Sequence, residues 1–123
     1  MHSSTTAISL DKKFAQFTDH WSPKKIATLN DYEIKIVKIK GEFVWHTHAD
    51  TDELFLVVKG NLRIQLRDGD VPLGPGDLFV VPHGVEHCPI AEEEAEVMLI
   101  EPVGVTNTGD VGGPRTAALD DWT

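Results

Sequence analysis

Cysteine is almost missing from this chain. Cys88 stands alone, so no intrachain disulfide can hold the fold, and a reduced, cytoplasmic setting is expected. Cations are scarce as well: 11 Lys and Arg face 20 Asp and Glu, for a formal net charge of -9. That argues against a nucleic-acid binder, which depends on clustered Lys and Arg, and nothing resembles a helix-turn-helix. Long apolar runs are absent. The longest spans the five residues Leu54 to Val58, far short of the roughly 20 that a membrane helix needs. The first residues show neither the basic region nor the apolar stretch of a signal peptide. A dedicated phosphate-cradling loop is also missing, since Gly74-Pro75-Gly76 reads as a turn with no cationic cluster around it.

What remains is an ordinary globular composition, 41% hydrophobic and 25% charged over 123 residues, enough for one domain with its own core. The first eight residues are expected to be unstructured. Ser9 can cap a short amphipathic helix with Leu10, Phe14 and Phe17 on one face, and Ser22-Pro23 ends it. From Tyr32 the texture becomes β. Short runs at Tyr32–Lys40, Phe43–His48, Leu54–Lys59, Asn61–Arg67, Val71–Leu73, Leu78–Val81, Val85–Ile90 and Glu96–Glu101 are parted by Gly, Asp and Pro turns. Many short strands with no helix between them predict an all-β sandwich or barrel. The expected organisation is an arm with a short helix over 1–31, a barrel over 32–102 and an extended tail over 103–123. Glu92-Glu93-Glu94 reads as a solvated loop.

The chemistry concentrates in His46-Thr-His-Ala-Asp-Thr-Asp-Glu53. On a strand, His46 and His48 share a face. Ala49 to Asp52 form a turn, and Glu53 then opens the next strand beside the two imidazoles. Two neutral imidazoles and a carboxylate suit a divalent first-row metal. A fourth ligand has to come from further on, and His87 follows the run Gly76-Asp-Leu-Phe-Val-Val-Pro82-His-Gly84-Val-Glu.

At this point the stretch resembles a small single-domain cupin. The family's first motif runs Gly, five residues, His-x-His, three or four residues, Glu, six residues, Gly. Here Gly41 is followed by four residues before His46, then come His48, Glu53 and Gly60. The second motif corresponds to Gly76, Pro82, Gly84 and His87, with Ala91 where the family often has Asn. The resemblance implies a double-stranded β-helix, or jelly-roll barrel, in which residues at the positions of His46, His48, Glu53 and His87 bind one metal. It also points to a homodimer, as do Trp21, Trp45 and Trp122, which a small barrel has difficulty burying.

An octahedral ion on that set would keep two adjacent positions for an oxygen-bearing ligand. This favours iron, manganese or nickel, with zinc as the alternative. The expected function is a dioxygenase-like enzyme acting on a small chelating substrate such as a sugar acid, diketone or phenol. The alternatives are a metal-dependent isomerase, epimerase or lyase of a sugar or sugar acid, and a non-catalytic small-molecule binder. Alternation nominates Val44, Phe55, Val57 and either Arg63 or Gln65 as pocket-lining residues, although solvated Arg63 and Gln65 over a leucine-filled core fit the pattern equally well. Cys88, next to His87, should face away and pack as a small hydrophobe. His83 is a candidate for supporting a ligand from the bend, while His2 and His20 are assigned no role.

Overall fold

A computed structural model describes residues 6–109, 112–113, 117 and 121–123. His2, part of the expected unstructured start and part of the expected tail lie outside the described residues. Helix α1 (Leu10–Phe14) is capped by Ser9, whose hydroxyl accepts from the Lys12 amide at 3.3 Å. Seven strands follow among the described residues: β1 (Lys24–Leu29), β2 (Tyr32–Glu42), β3 (Glu53–Lys59), β4 (Leu62–Leu66), β5 (Gly69–Leu73), β6 (Leu78–Val81) and β7 (His87–Pro102). The architecture is all-β with one short helix.

Strand β7 is the spine. Its first residues pair with β4, its later ones with β3, and β2 runs antiparallel along both parts. An irregularity between Ile39 and Gly41, opposite Ala95 and Ala91, lets the β2–β7 pair bend between these partners. The sheet order is β1-β2-β7-β3-β6, with β4 and β5 joined through β7. The two strands expected at Val85–Ile90 and Glu96–Glu101 are thus one, and the expected loop Glu92–Glu94 is part of it. Those three glutamates remain exposed, because a strand accepts consecutive charges where solvent covers it.

The inner face of the sheet packs Val37, Ile39, Phe55, Val57, Leu62, Ile64, Val97 and Leu99 into the main core. The outer face of β1 and β2 buries Ile26 and Ile36 against Phe14 of α1, flanked by Leu10, Phe17, Val58 and Met98. Strand β1 was not anticipated. Its Lys24-Lys25 start hides the pattern, yet both lysines are buried and their charges are paired, Lys25 with Glu33 and Lys24 with Asp19 at 2.8 Å and Asp121 at 2.6 Å.

The C-terminal segment lies on the domain. The Lys25 amide donates to the Asp121 carbonyl at 2.7 Å and the Thr123 amide to the Lys25 carbonyl at 3.0 Å. The three tryptophans find cover within the chain. Trp21 stacks on Phe43 at 4.5 Å, Arg67 lies over Trp45 at 3.8 Å, and the Lys25 ammonium sits 5.7 Å from the Trp122 ring.

Candidate metal centre

Residues Phe43 to Thr47 do not form the expected regular strand. Past Glu42 the ladder gives way to an isolated bridge, in which His46 and His87 exchange both amide–carbonyl bonds at 3.0 Å, while the Phe43 amide donates to the Pro89 carbonyl at 3.0 Å. Strict alternation therefore breaks, and Phe43, His46 and His48 are the buried side chains. Glu53 arrives from the start of β3 and His87 from the start of β7. The four donor atoms of His46, His48, Glu53 and His87 lie within 4.8 Å of one another, and all four residues are buried.

Hydrogen bonding orients two of the rings. The Nδ1 atoms of His46 and His87 each lie 2.9 Å from a carbonyl oxygen, those of Val44 and Val85. A carbonyl only accepts, so each Nδ1 carries the proton, and in the neutral ring Nε2 keeps a lone pair. Glu53 Oε1 stands 3.2 Å from His87 Nε2 and 3.1 Å from His48 Nε2. A lone pair facing a carboxylate oxygen at this distance repels unless positive charge lies between them. A proton on the ring would supply it, and so would a divalent cation on all four donors, for which this set is well suited.

The ionisation tendencies are those of a cation site. Burial, reinforced by the charge of His87, pushes His46 down to about 4. Burial opposes ionisation of Glu53, but the facing His48 and His87 rings, once they carry a proton on Nε2, outweigh it and hold its carboxyl at about 2. The centre thus presents a neutral imidazole at His46 and an ionised carboxylate at neutral pH.

A cavity of about 30 Å³ lies beside His46 and Glu53, walled by Trp21, Phe43, Phe55, Leu99 and Asn107 among others. Of the nominated lining residues, Phe55 takes part. Val57 is sealed deeper in the core. Val44 is half-buried and contributes its carbonyl, and Phe43 holds the wall position instead because of the irregular backbone. Arg63 and Gln65 face outward, Arg63 to Asp70 at 2.8 Å and Gln65 to Glu42 at 3.0 Å, while Leu62 and Ile64 fill the core. His83 lies on the surface, with Nδ1 2.9 Å from Asp52, and His20 on the surface 2.7 Å from Glu94. Cys88 is fully buried, and burial together with the Glu42 charge pushes its thiol up to about 11, so it is inert as a nucleophile.

Three buried charged residues beside this centre, Glu33, Lys35 and Glu101, were not evident from the sequence. Leu54 pairs with Ile100, so the same register sets Glu101 next to Glu53 on the inner face, and Glu33 opposes Glu101 on the other side. Lys35 binds Glu101 at 2.9 Å and reaches Glu33 at 3.8 Å. Glu101 is 1% exposed, and its second oxygen accepts no hydrogen bond among the described residues. Burial, with the Glu53 charge adding to it against the pull of Lys35, raises Glu101 to about 7. The signal was the alternation Glu33, Lys35, Val37, Ile39, obscured because the other phase of that strand also mixes Ile and Lys.

Residues 34–103 match the family model described as Cupin domain. The chain is a cupin. This cupin superposes on the crystal structure of a cupin-2 domain protein from Shewanella frigidimarina with a TM-score of 0.77 at 54% identity, covering 77% of this chain and 93% of that one. It is 32% identical over 88 residues to the uncharacterised protein YdbB of Bacillus subtilis, covering 62% of this chain and 77% of YdbB. Over 94 residues it is 30% identical to the acireductone dioxygenase of Bacillus subtilis. That match covers 72% of this chain and only 52% of that enzyme.

Proposed function

We propose that this cupin is a metal-dependent enzyme holding one divalent ion, iron, manganese or nickel, on His46, His48, Glu53 and His87, and acting in dioxygenase fashion on a small chelating substrate. The observation that carries the reading is the buried four-donor cluster itself, in which His87 Nε2 stands 3.2 Å from Glu53 Oε1. Likeness to a dioxygenase over most of this chain supports the reaction class. The ion would supply Lewis acidity and, if redox-active, electron transfer to oxygen. The chain's own residues do the rest. Val44 and Val85 fix the imidazole tautomers through their carbonyls, Glu53 brings the charge, and Phe43, Phe55 and Leu99 give the cavity apolar walls.

A metal-dependent isomerase, epimerase or lyase is the second reading, and Glu101 favours it. Such reactions move a proton next to a carbonyl and need a buried group that titrates near neutrality. Oxygen uptake separates the two. Iron-, manganese- and nickel-loaded protein is mixed with a panel of enediols, diketones and sugar acids in an oxygen electrode, with products followed by NMR. Oxygen consumption that requires metal and vanishes in His87→Ala is the expected result. Substrate rearrangement without oxygen loss transfers the assignment to the second reading, and binding without any conversion leaves a small-molecule binder.

We also propose a homodimer in a reduced, cytoplasmic setting. Strand β6 is an edge of the sheet, and its Leu78 and Val80, like Tyr32 at the start of β2, are exposed large apolar side chains. Val80 and Tyr32 line an open groove of about 370 Å³ that also includes Leu54 and Ile100, a surface that a second copy would cover.

A further inference from the structure

The cavity at the cluster is narrowed by the chain itself. Its volume of about 30 Å³ holds roughly one or two waters, too little for any chelating substrate or for an ion with its water shell. The wall nearest the C-terminus is Asn107, in the turn Thr106–Gly109, whose Thr106 hydroxyl donates to the Gly109 carbonyl at 3.1 Å. Thr108 at its centre is fully buried. Gly109 rests on the cluster: a Cβ there would collide with the Thr47 carbonyl and stand 3.3 Å from His46 Cδ2.

This turn belongs to no strand ladder. Polar contacts to described residues help to hold it. From one side, Asn107 Nδ2 donates to the Trp21 carbonyl at 3.0 Å, and its Oδ1 accepts from the Ala117 amide at 2.8 Å. From the inside, Lys35, already paired with Glu101, donates to the Val105 carbonyl at 3.3 Å. Trp21 itself is held with a φ of 61°, unusual for so bulky a residue. Its ring stacks on Phe43 and its indole N–H donates to the Lys40 carbonyl at 2.9 Å, so the carbonyl offered to Asn107 sits on a fixed support.

We propose that the Thr106–Gly109 turn is the gate of this site. It swings away from His46 to admit metal and substrate, with Asn107 and Lys35 as its latches. Anything entering would pass between the Trp21–Phe43 pair and the vacated place of the turn, so the gate selects compact ligands with an apolar body behind the chelating oxygens. This deepens the metal-enzyme reading and rests on it for the identity of what enters, though the opening itself does not depend on metal.

The test compares wild type with Asn107→Ala, which removes the outer latch, and Gly109→Ala, whose methyl group wedges the turn off Thr47. Cobalt(II) loading and its removal by EDTA are timed. Both variants should exchange cobalt about tenfold faster than wild type at unchanged stoichiometry, the effect expected of one lost latch. Equal rates at equal stoichiometry overturn the gate.

A second readout uses metal-free protein treated with diethylpyrocarbonate, with carbethoxylation of each histidine followed by peptide mass spectrometry. His46 should react faster in both variants while the exposed His83 keeps its wild-type rate. An unchanged His46 rate overturns the gate even if no variant takes up cobalt, a result that would count against the metal reading alone.

Discussion

At the scale of single residues, the cluster and its neighbour Glu101 pull stability in opposite directions as pH changes. His46 is pushed down to about 4 in the fold from its ordinary 6.5. Its contribution is therefore complete above pH 6.5 and lost as the pH falls toward 4. Glu101 titrates at about 7 against 4.5, so its contribution is complete below pH 4.5 and lost as the pH rises through 7. Glu53, held at about 2 against 4.5, adds a loss only below pH 4.5. Burial sets Glu101 first, then the charges of Glu53, Lys35 and His48, while Glu33 faces it from the neighbouring strand. In chelator-treated wild type the His46 and Glu101 effects offset, and the melting temperature should stay level from pH 6.5 to 4.5 before dropping. In Glu101→Gln the offset is gone, so melting should fall steadily from pH 6.5, a divergence on the order of 2–3 kcal/mol across the window. Parallel profiles for the two proteins would contradict this assignment. At this scale the four donors were readable because ligand chemistry and spacing identify them directly. Lys35 and Glu101 were not, because a buried ion pair on a strand looks like two solvated charges until the partner strand is known.

Among elements, the tight places are where the sheet bends. Gly60, between β3 and β4, has a φ of 87°, and a Cβ there would stand 2.9 Å from the Glu94 carbonyl and 3.0 Å from Ala95 Cα. Gly41 has a similar φ of 82° but open space around it. Gly41→Ala should cost about 1–2 kcal/mol, the left-handed penalty alone. Gly60→Ala adds displacement of the β7 backbone and should cost about 3 kcal/mol or more. Urea midpoints measure both, and equal shifts would mean that β7 yields to the methyl group freely. The all-β class and the short helix were legible from turn residues and from Leu10, Phe14 and Phe17. The irregular passage from Phe43 to Thr47 was not, since His-Thr-His fits a period of two as well as a bridge with two ring-bearing ends. Nor was the continuity of β7, because three glutamates in a row carry no sign that their backbone remains paired.

For the whole molecule, the covered tryptophans remove one expected reason for association, and the outer face of β6 supplies another. Val80→Asp places a charge among Leu78, Tyr32 and the groove, and should convert the proposed dimer to monomer in sedimentation velocity with melting unchanged. A wild type that is already monomeric at micromolar concentration would dispose of the dimer. The tail's place on the domain depended on contacts no local pattern predicts, Lys25 with Asp121 and Thr123, and Asn107 with Trp21.

The proposed chemistry depends on whether His46, His48, Glu53 and His87 hold an ion. Elemental mass spectrometry of tag-free protein beside His87→Ala decides it. About one equivalent of iron, manganese or nickel in the wild type, absent from the variant, is the predicted result. Wild-type protein that stays metal-free after reconstitution with each ion would contradict it, leaving a protonated imidazole as the partner of Glu53.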